Sequence, residues 1–170
     1  MKPLAHELRE RLALPNVAAF LTLIRIGEGT ADPDGYRRFF CGGLFDDLSD
    51  HPRRKHRCKL GRRYVTSSAA GAYQIITPTW EMIQRHLRLP DFTAESQDIA
   101  ALWLIRHRRA LSAVIDGALE TAIQRCAREW ASLPGSPYGQ PTLTLMAARQ
   151  AYIYAGGRIA RPRNEETDYA

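Results

Sequence analysis

One helical stripe constrains this chain more than any other feature, because it ends in a charge. Val17, Phe20, Leu21 and Ile24 recur at helical spacing after Asn16, whose side chain is expected to cap the helix, and the next position on that stripe is Glu28. A core-facing helix wants an apolar residue there, and Gly27 and Gly29 mark the end of the helix. The carboxyl is therefore expected to point inward at a helix C-terminus, where lost hydration and the helix dipole both oppose ionisation and push its pKa upward. A glutamate that keeps its proton near neutral pH is what protonation of a departing glycosidic oxygen requires. The competing reading is a helix-end glutamate turned to solvent.

Other segments place that helix in a larger fold. Residues 35–76 are rich in glycine, aromatic and β-branched residues, with short runs at 36–40 and 64–66, and read as a small irregular β lobe. Thr77-Pro78 opens a helix through Trp80, Ile83 and Leu87, stopped by Pro90. Three more helices are expected over about 94–111, 117–133 and 141–155, the second carrying Leu119, Ile123, Cys126 and Trp130 on one face. Trp80, Trp103 and Trp130 all sit on apolar faces and are expected in the core. The whole, residues 1–170, reads as one α+β domain, mostly helical, with a core over about 16–157, an N-terminal arm over 1–15 and a loosely held tail over 158–170.

With 170 residues, 45% of them hydrophobic, the chain can bury a core without a metal or disulfide framework. Cys41, Cys58 and Cys126 lack zinc-site spacing, so no metal and no cofactor are expected; a bond between Cys41 and Cys58 stays open, since sequence does not give their distance. No run reaches the length of a membrane helix, and the first fifteen residues do not build an export signal. Net charge is +6, and seven of the 24 basic residues (Arg53, Arg54, Lys55, Arg57, Lys59, Arg62, Arg63) fall within positions 53–63. That cluster is either a solvated loop or a patch for polyanions such as wall polymer or membrane lipid. Asp50-His51, within Ser49-Asp50-His51-Pro52, reads as a turn whose aspartate bonds its own backbone, not as a catalytic pair. Asp46 and Asp47 are candidate sugar contacts or plain surface acids.

Gly71-Ala72-Tyr73-Gln74 places a close-approach glycine beside an aromatic and an amide, a combination that suits the lining of a sugar cleft. Taken in order, Glu28-Gly29-Thr30, Ser49-Asp50-His51-Pro52, Gly71-Ala72-Tyr73-Gln74, Ser96-Gln97-Asp98, the run from Trp130 through Ala131, Ser132, Leu133 and Pro134 to Gly135, and Tyr138-Gly139-Gln140 resemble the phage lambda endolysin family over about 16–157. The resemblance implies a lysozyme-like fold with a cleft between lobes, and a lytic transglycosylase acting on the peptidoglycan glycan strand. It also implies Glu28 as the single catalytic glutamate, with Tyr73, Gln74, Tyr138, Gln140, Phe45 and Asp50 as saccharide-cleft residues. One departure stands out: the family usually has an aspartate after Gly35-Tyr36, and here Arg37-Arg38 follows. A muramidase cutting the same bond is the enzymatic alternative, and a non-catalytic basic nucleic-acid-binding module is the alternative of a different class, although no specific nucleic acid is expected as partner. The resemblance further implies a monomer made in the host cytoplasm that reaches periplasmic peptidoglycan through a separate pore-forming partner, a holin.

Overall fold

The computed structural model describes residues 2–161. Its elements are α1 (Leu4–Arg11), α2 (Pro15–Gly27), a short 3-10 turn (Gly35–Arg37), β1 (His56–Leu60), β2 (Arg63–Ser67), α3 (Thr77–Leu87), α4 (Ala94–His107), α5 (Leu111–Asp116), α6 (Leu119–Cys126) and α7 (Leu145–Tyr154). Helix α2 is the axis of the helical lobe, packing on α4, α5 and α7. It can do so because Val17, Ala19, Phe20, Leu21, Leu23 and Ile24 are all buried, so that most of its circumference is apolar.

Several boundaries differ from the sequence reading, each for a local reason. Helix α2 starts at Pro15, whose ring presets a helical φ and whose missing N–H costs nothing in a first turn. Asn16 is thus already inside the helix and caps nothing; its amide donates to Ile115 O at 3.0 Å and its Oδ1 accepts from Arg158 N at 2.8 Å. The N-terminal arm is in fact helix α1, packed on α4. Leu8 is fully buried there, flanked one turn away on each side by half-buried Leu4 and Leu12. Residues 158–161 are pinned, with Ala160 N bonded to Gly117 O, while the rest of the expected tail lies outside the described residues. The expected helix over 94–111 is broken at Arg109, which has a φ of 58°, and α5 starts after it. Helix α6 ends at Cys126, yet Trp130 N still reaches Cys126 O at 3.2 Å, so the expected stripe of Leu119, Ile123, Cys126 and Trp130 stays buried.

The β lobe holds a single antiparallel hairpin, β1 against β2, with Cys58 opposite Val65 and Leu60 opposite Arg63 across the turn. Residues 36–40 form the 3-10 turn and two isolated bridges, Arg38 to Leu44 and Phe39 to Ala70, instead of a strand. Cys41 and Cys58 are disulfide-bonded, with Cα atoms 6.2 Å apart, and this ties the hairpin to the 39–43 loop. Beneath the lobe, Phe92 collects Phe45, Trp80 and His51 at ring separations of 6.1, 4.7 and 4.9 Å, and Phe45 meets Phe39 at 5.0 Å. These rings join the lobe to the helical core. Among the described residues no helix is long and apolar enough to cross a membrane.

Candidate active site

Glu28 is the C-cap of α2, its N–H still bonded to Ile24 O at 2.9 Å. Gly29 then turns left-handed, and Thr30 is buried with its hydroxyl 2.5 Å from Ala72 O. Arg25 fastens the same turn from behind: its guanidinium donates to Thr30 O and Asp32 O and lies 4.5 Å over the Tyr36 ring. The glutamate is therefore held on a segment whose backbone is committed on both sides.

Its side chain meets a neutral partner. The Ser132 hydroxyl donates to Glu28 Oε1 at 2.7 Å, across 104 residues of sequence. This approach needs residue 27 to be glycine, since a Cβ there would stand 2.6 Å from Ser132 Oγ. Burial pushes the Glu28 carboxyl above its ordinary range, and the hydrogen bonds from Ser132 offset part of that rise. No charged group takes part in the shift, in either direction.

Ser132 belongs to a strap that is itself held in place. Two residues earlier, the Trp130 indole N–H donates to Tyr73 O at 3.1 Å. The Tyr73 hydroxyl donates to Asp98 Oδ1 at 2.6 Å, and Tyr36 donates to the same oxygen at 2.8 Å. Gln97, beside Asp98 on α4 and fully buried, accepts from Ala72 N at 2.8 Å and donates to Tyr36 O and Phe92 O. Gly71 takes a φ of +77°, and a Cβ on it would overlap the Gln97 amide oxygen. A buried amide bonded this completely is costly to lose, about 1–3 kcal/mol for each partner left unpaired. Polar groups of α4 thus hold the 71–74 loop against the end of α2, and burial holds the Asp98 carboxyl above its usual range.

Two open hollows flank this arrangement, and Glu28 itself lines neither. One, of about 270 Å³, brings together Gln74, Thr79, Glu129, Trp130 and Tyr138. There Gln74 has a φ of 47° and donates to Gly71 O, while Tyr138, 56% exposed, donates its hydroxyl to Arg128 O. The other, of about 430 Å³, lies on the β lobe between Phe39, Phe45, Asp46, Asp47 and Asp50. The His51 ring, on the edge of the second hollow, bonds Ile75 O on the edge of the first at 2.9 Å.

The other candidates are placed differently from the sequence reading. Tyr73 is only 2% exposed, so its ring is mostly core and reaches only the edge of the first hollow. Phe45 is buried in the aromatic cluster and presents an edge. Asp50 is occupied: its carboxylate accepts from His51 N, Trp80 Nε1 and Arg53. Burial raises its pKa, and these donors outweigh that and leave it below the usual range. Asp50 and His51 form a turn, as their sequence suggests; the His51 ring accepts from Arg53 N at Nδ1 and donates from Nε2, and burial lowers its pKa, so it stays neutral. Asp46 pairs with Arg37, and Asp47 accepts from Ser49 N. Gln140 is exposed and lines neither hollow. Among the described residues no group of three or more acidic, histidine or cysteine side chains could hold a metal.

The family model described as Endolysin matches residues 18–159. The chain belongs to the endolysin family. The endolysin of Escherichia phage P2 is 40% identical over 154 residues, covering 84% of this chain and 93% of that protein. The endolysin of Escherichia phage lambda is 40% identical over 128 residues, covering 72% and 79%. Bacteriophage lambda lysozyme complexed with a chitohexasaccharide superposes with a TM-score of 0.78 at 35% identity, covering 86% of this chain and 97% of that one. A second lambda lysozyme structure gives a TM-score of 0.74 at 34% identity. The fold is lysozyme-like α+β, and this endolysin is a peptidoglycan-cleaving enzyme of the lambda type.

Proposed function

We propose that the enzyme is a lytic transglycosylase, cutting the β-1,4 bond between N-acetylmuramic acid and N-acetylglucosamine with Glu28 as both acid and base. The observation that supports this best is the isolation of Glu28: its partner is an uncharged hydroxyl, and no second carboxylate perturbs it. A hydrolase needs a second acid, about 5–5.5 Å away as nucleophile or about 6.5–9.5 Å away as base for water. Of the acids on the β lobe, Asp50 is taken by Trp80 and Arg53 and Asp46 by Arg37, and where the family carries an aspartate this chain has Arg37.

In the first half of the reaction, the half-buried Glu28 carboxyl gives its proton to the glycosidic oxygen as the C1–O4 bond breaks. In the second half, the Glu28 carboxylate takes the proton of the muramic 6-hydroxyl while O6 bonds to C1 and closes a 1,6-anhydro ring. The proton returns to Glu28 and no water is consumed. Ser132 suits both halves, because its hydrogen bond steadies the carboxylate without neutralising it. Half-buried Gln74 and exposed Tyr138, which line one hollow, are the proposed sugar contacts there; Phe45, Asp46 and Asp47 are those of the β-lobe hollow. The glycan strand of peptidoglycan is the proposed substrate. Glu28→Gln keeps the shape of the side chain but has no proton to give, so solubilisation of purified sacculi should cease with the fold intact by circular dichroism. Residual cleavage near the wild-type rate would remove Glu28 from the mechanism. Equal loss of folding would make the result structural, and Glu28→Asp, which retains an acid, then separates the two by restoring partial cleavage only if the carboxyl acts chemically.

A further inference from the structure

The cleavage reading leaves the basic cluster unexplained, and the structure gathers it onto one element. Of its seven cations, only Arg53 is ion-paired among the described residues, holding Asp50 and Glu81 at the base of the lobe. Arg54, Lys55, Arg57, Lys59, Arg62 and Arg63 are exposed and have no ion-pair partner among the described residues. Four of them sit on the β1–β2 hairpin or its turn. Its two faces differ. His56, Cys58, Val65 and Ser67 are half-buried and turned to the lobe, the His56 ring 4.3 Å from Phe39 and Cys58 bonded to Cys41. Arg57, Lys59, Tyr64 and Thr66 face outward, with the Arg57 guanidinium 4.5 Å over the Tyr64 ring; Leu60 and Arg63, the pair next to the turn, fall on the opposite face from Lys59 and Tyr64 but are exposed at the tip.

Two apolar side chains lie among these charges near the tip, one on each face. Tyr64 is 63% exposed and Leu60, beside the turn, is 43% exposed. In a solvated loop Tyr64 gains only its stack with Arg57 and Leu60 gains nothing, whereas a headgroup layer accepts the whole set: cations on the anionic phosphates, and an aromatic and an aliphatic side chain at the boundary with the acyl chains. A two-stranded ribbon is marginal alone in water, and the disulfide together with the Phe39 contact keeps this one presented as a fixed surface. The chemistry fits a lipid bilayer better than a nucleic acid, because leucine does not stack on bases and one face of Tyr64 is already covered by Arg57.

We propose that the tip of the β1–β2 hairpin, entering end-on, is a docking element for anionic phospholipid bilayers, with Lys59, Arg62 and Arg63 on headgroup phosphates and Leu60 and Tyr64, one from each face, in the interface. The proposal stands apart from the cleavage chemistry, and its test needs no substrate. The oxidised full chain is sedimented with vesicles of phosphatidylglycerol and phosphatidylcholine, or of phosphatidylcholine alone. Binding is expected only to the anionic vesicles, weakening as salt rises. The triple variant Lys59→Gln, Arg62→Gln, Arg63→Gln should lower partitioning by about 100-fold, roughly fivefold for each cation. Leu60→Ser with Tyr64→Ser, which leaves every charge in place, should lower it at least about fivefold. Tyr64→Trp should show blue-shifted emission with anionic vesicles alone, which keeps the question answerable should a multiple variant fail to fold. Failure of the wild type to bind anionic vesicles, or binding indifferent to the triple variant, would overturn the proposal. So would a Leu60/Tyr64 variant that binds unchanged while duplex DNA displaces the vesicles, which would make the hairpin a nucleic-acid surface.

Discussion

Ser132→Ala removes a single hydroxyl group and should change how the whole enzyme responds to pH. The Ser132 hydroxyl reaches Glu28 Oε1 at 2.7 Å, and it is the only side chain bonded to that carboxyl among the described residues. It favours the carboxylate, against burial that favours the acid. A hydrogen bond to a charged group is worth about 1.5–3 kcal/mol, and 1.36 kcal/mol is a tenfold change in a protonation equilibrium. Losing it should therefore move the alkaline limb of the pH–rate profile upward by about one to two pH units. The sign follows from the role of the acid: the rate falls as pH rises through the Glu28 pKa, and removing a group that stabilises the carboxylate raises that pKa. The assay is release of soluble muropeptide from purified sacculi at constant ionic strength across pH, with wild type and variant compared at saturating substrate. The backbone of Ser132 stays anchored through its carbonyl, which accepts from Leu143 N at 2.8 Å, so the variant should fold. An alkaline limb that stays in place, or moves down, would refute the pairing of Ser132 with the group that sets the profile.

Two further outcomes concern stability. Glu28 has a folded pKa raised above its ordinary value of about 4.5, so the folded state binds the proton more tightly and stability declines as pH rises from that value through the folded pKa. Glu28→Gln should accordingly melt above the wild type at pH 7 and together with it near pH 4, read by thermal circular dichroism; a lower melting temperature at pH 7 would contradict the burial argument. Reducing the Cys41–Cys58 bond, which spans 17 residues, should cost about 3 kcal/mol and lower Tm by about 6–12 °C, whereas equal melting with and without reductant would show that the hairpin is held by packing alone.

How legible the molecule was in its sequence depended on the range of the interaction. Glu28 announced itself by breaking a local apolar stripe, and the Trp130 stripe and the α3 start were equally local signals. Pro15 against Asn16 was a contest between two start signals one residue apart, won by the residue whose φ is already set. Leu4, Leu8 and Leu12 carried helical spacing inside a charged stretch, and burial on α4 turned that short pattern into α1. The strap could not be read in advance, because Ser132 meets Glu28 across 104 residues. Tyr73 illustrates the same limit: an aromatic beside a glycine suits a sugar platform, but the Asp98 carboxylate gives its hydroxyl a buried partner and turns the ring inward. The clue was on α4, where Gln97 and Asp98 close the polar first turn and adjoin the apolar run from Ile99 to Ile105. A polar pair in such a place needs partners, and those partners are the 71–74 loop and Tyr36.

Isotope labelling tests the lone-glutamate account most directly. Sacculi digested in water enriched with heavy oxygen, then analysed by mass spectrometry, should yield muropeptides that end in 1,6-anhydro-muramic acid, one water lighter than hydrolysis products and free of label at the cut. Labelled, reducing-end muramic acid as the main product would contradict it: water would then be the nucleophile, and a second acid would have to act across the cleft from Glu28.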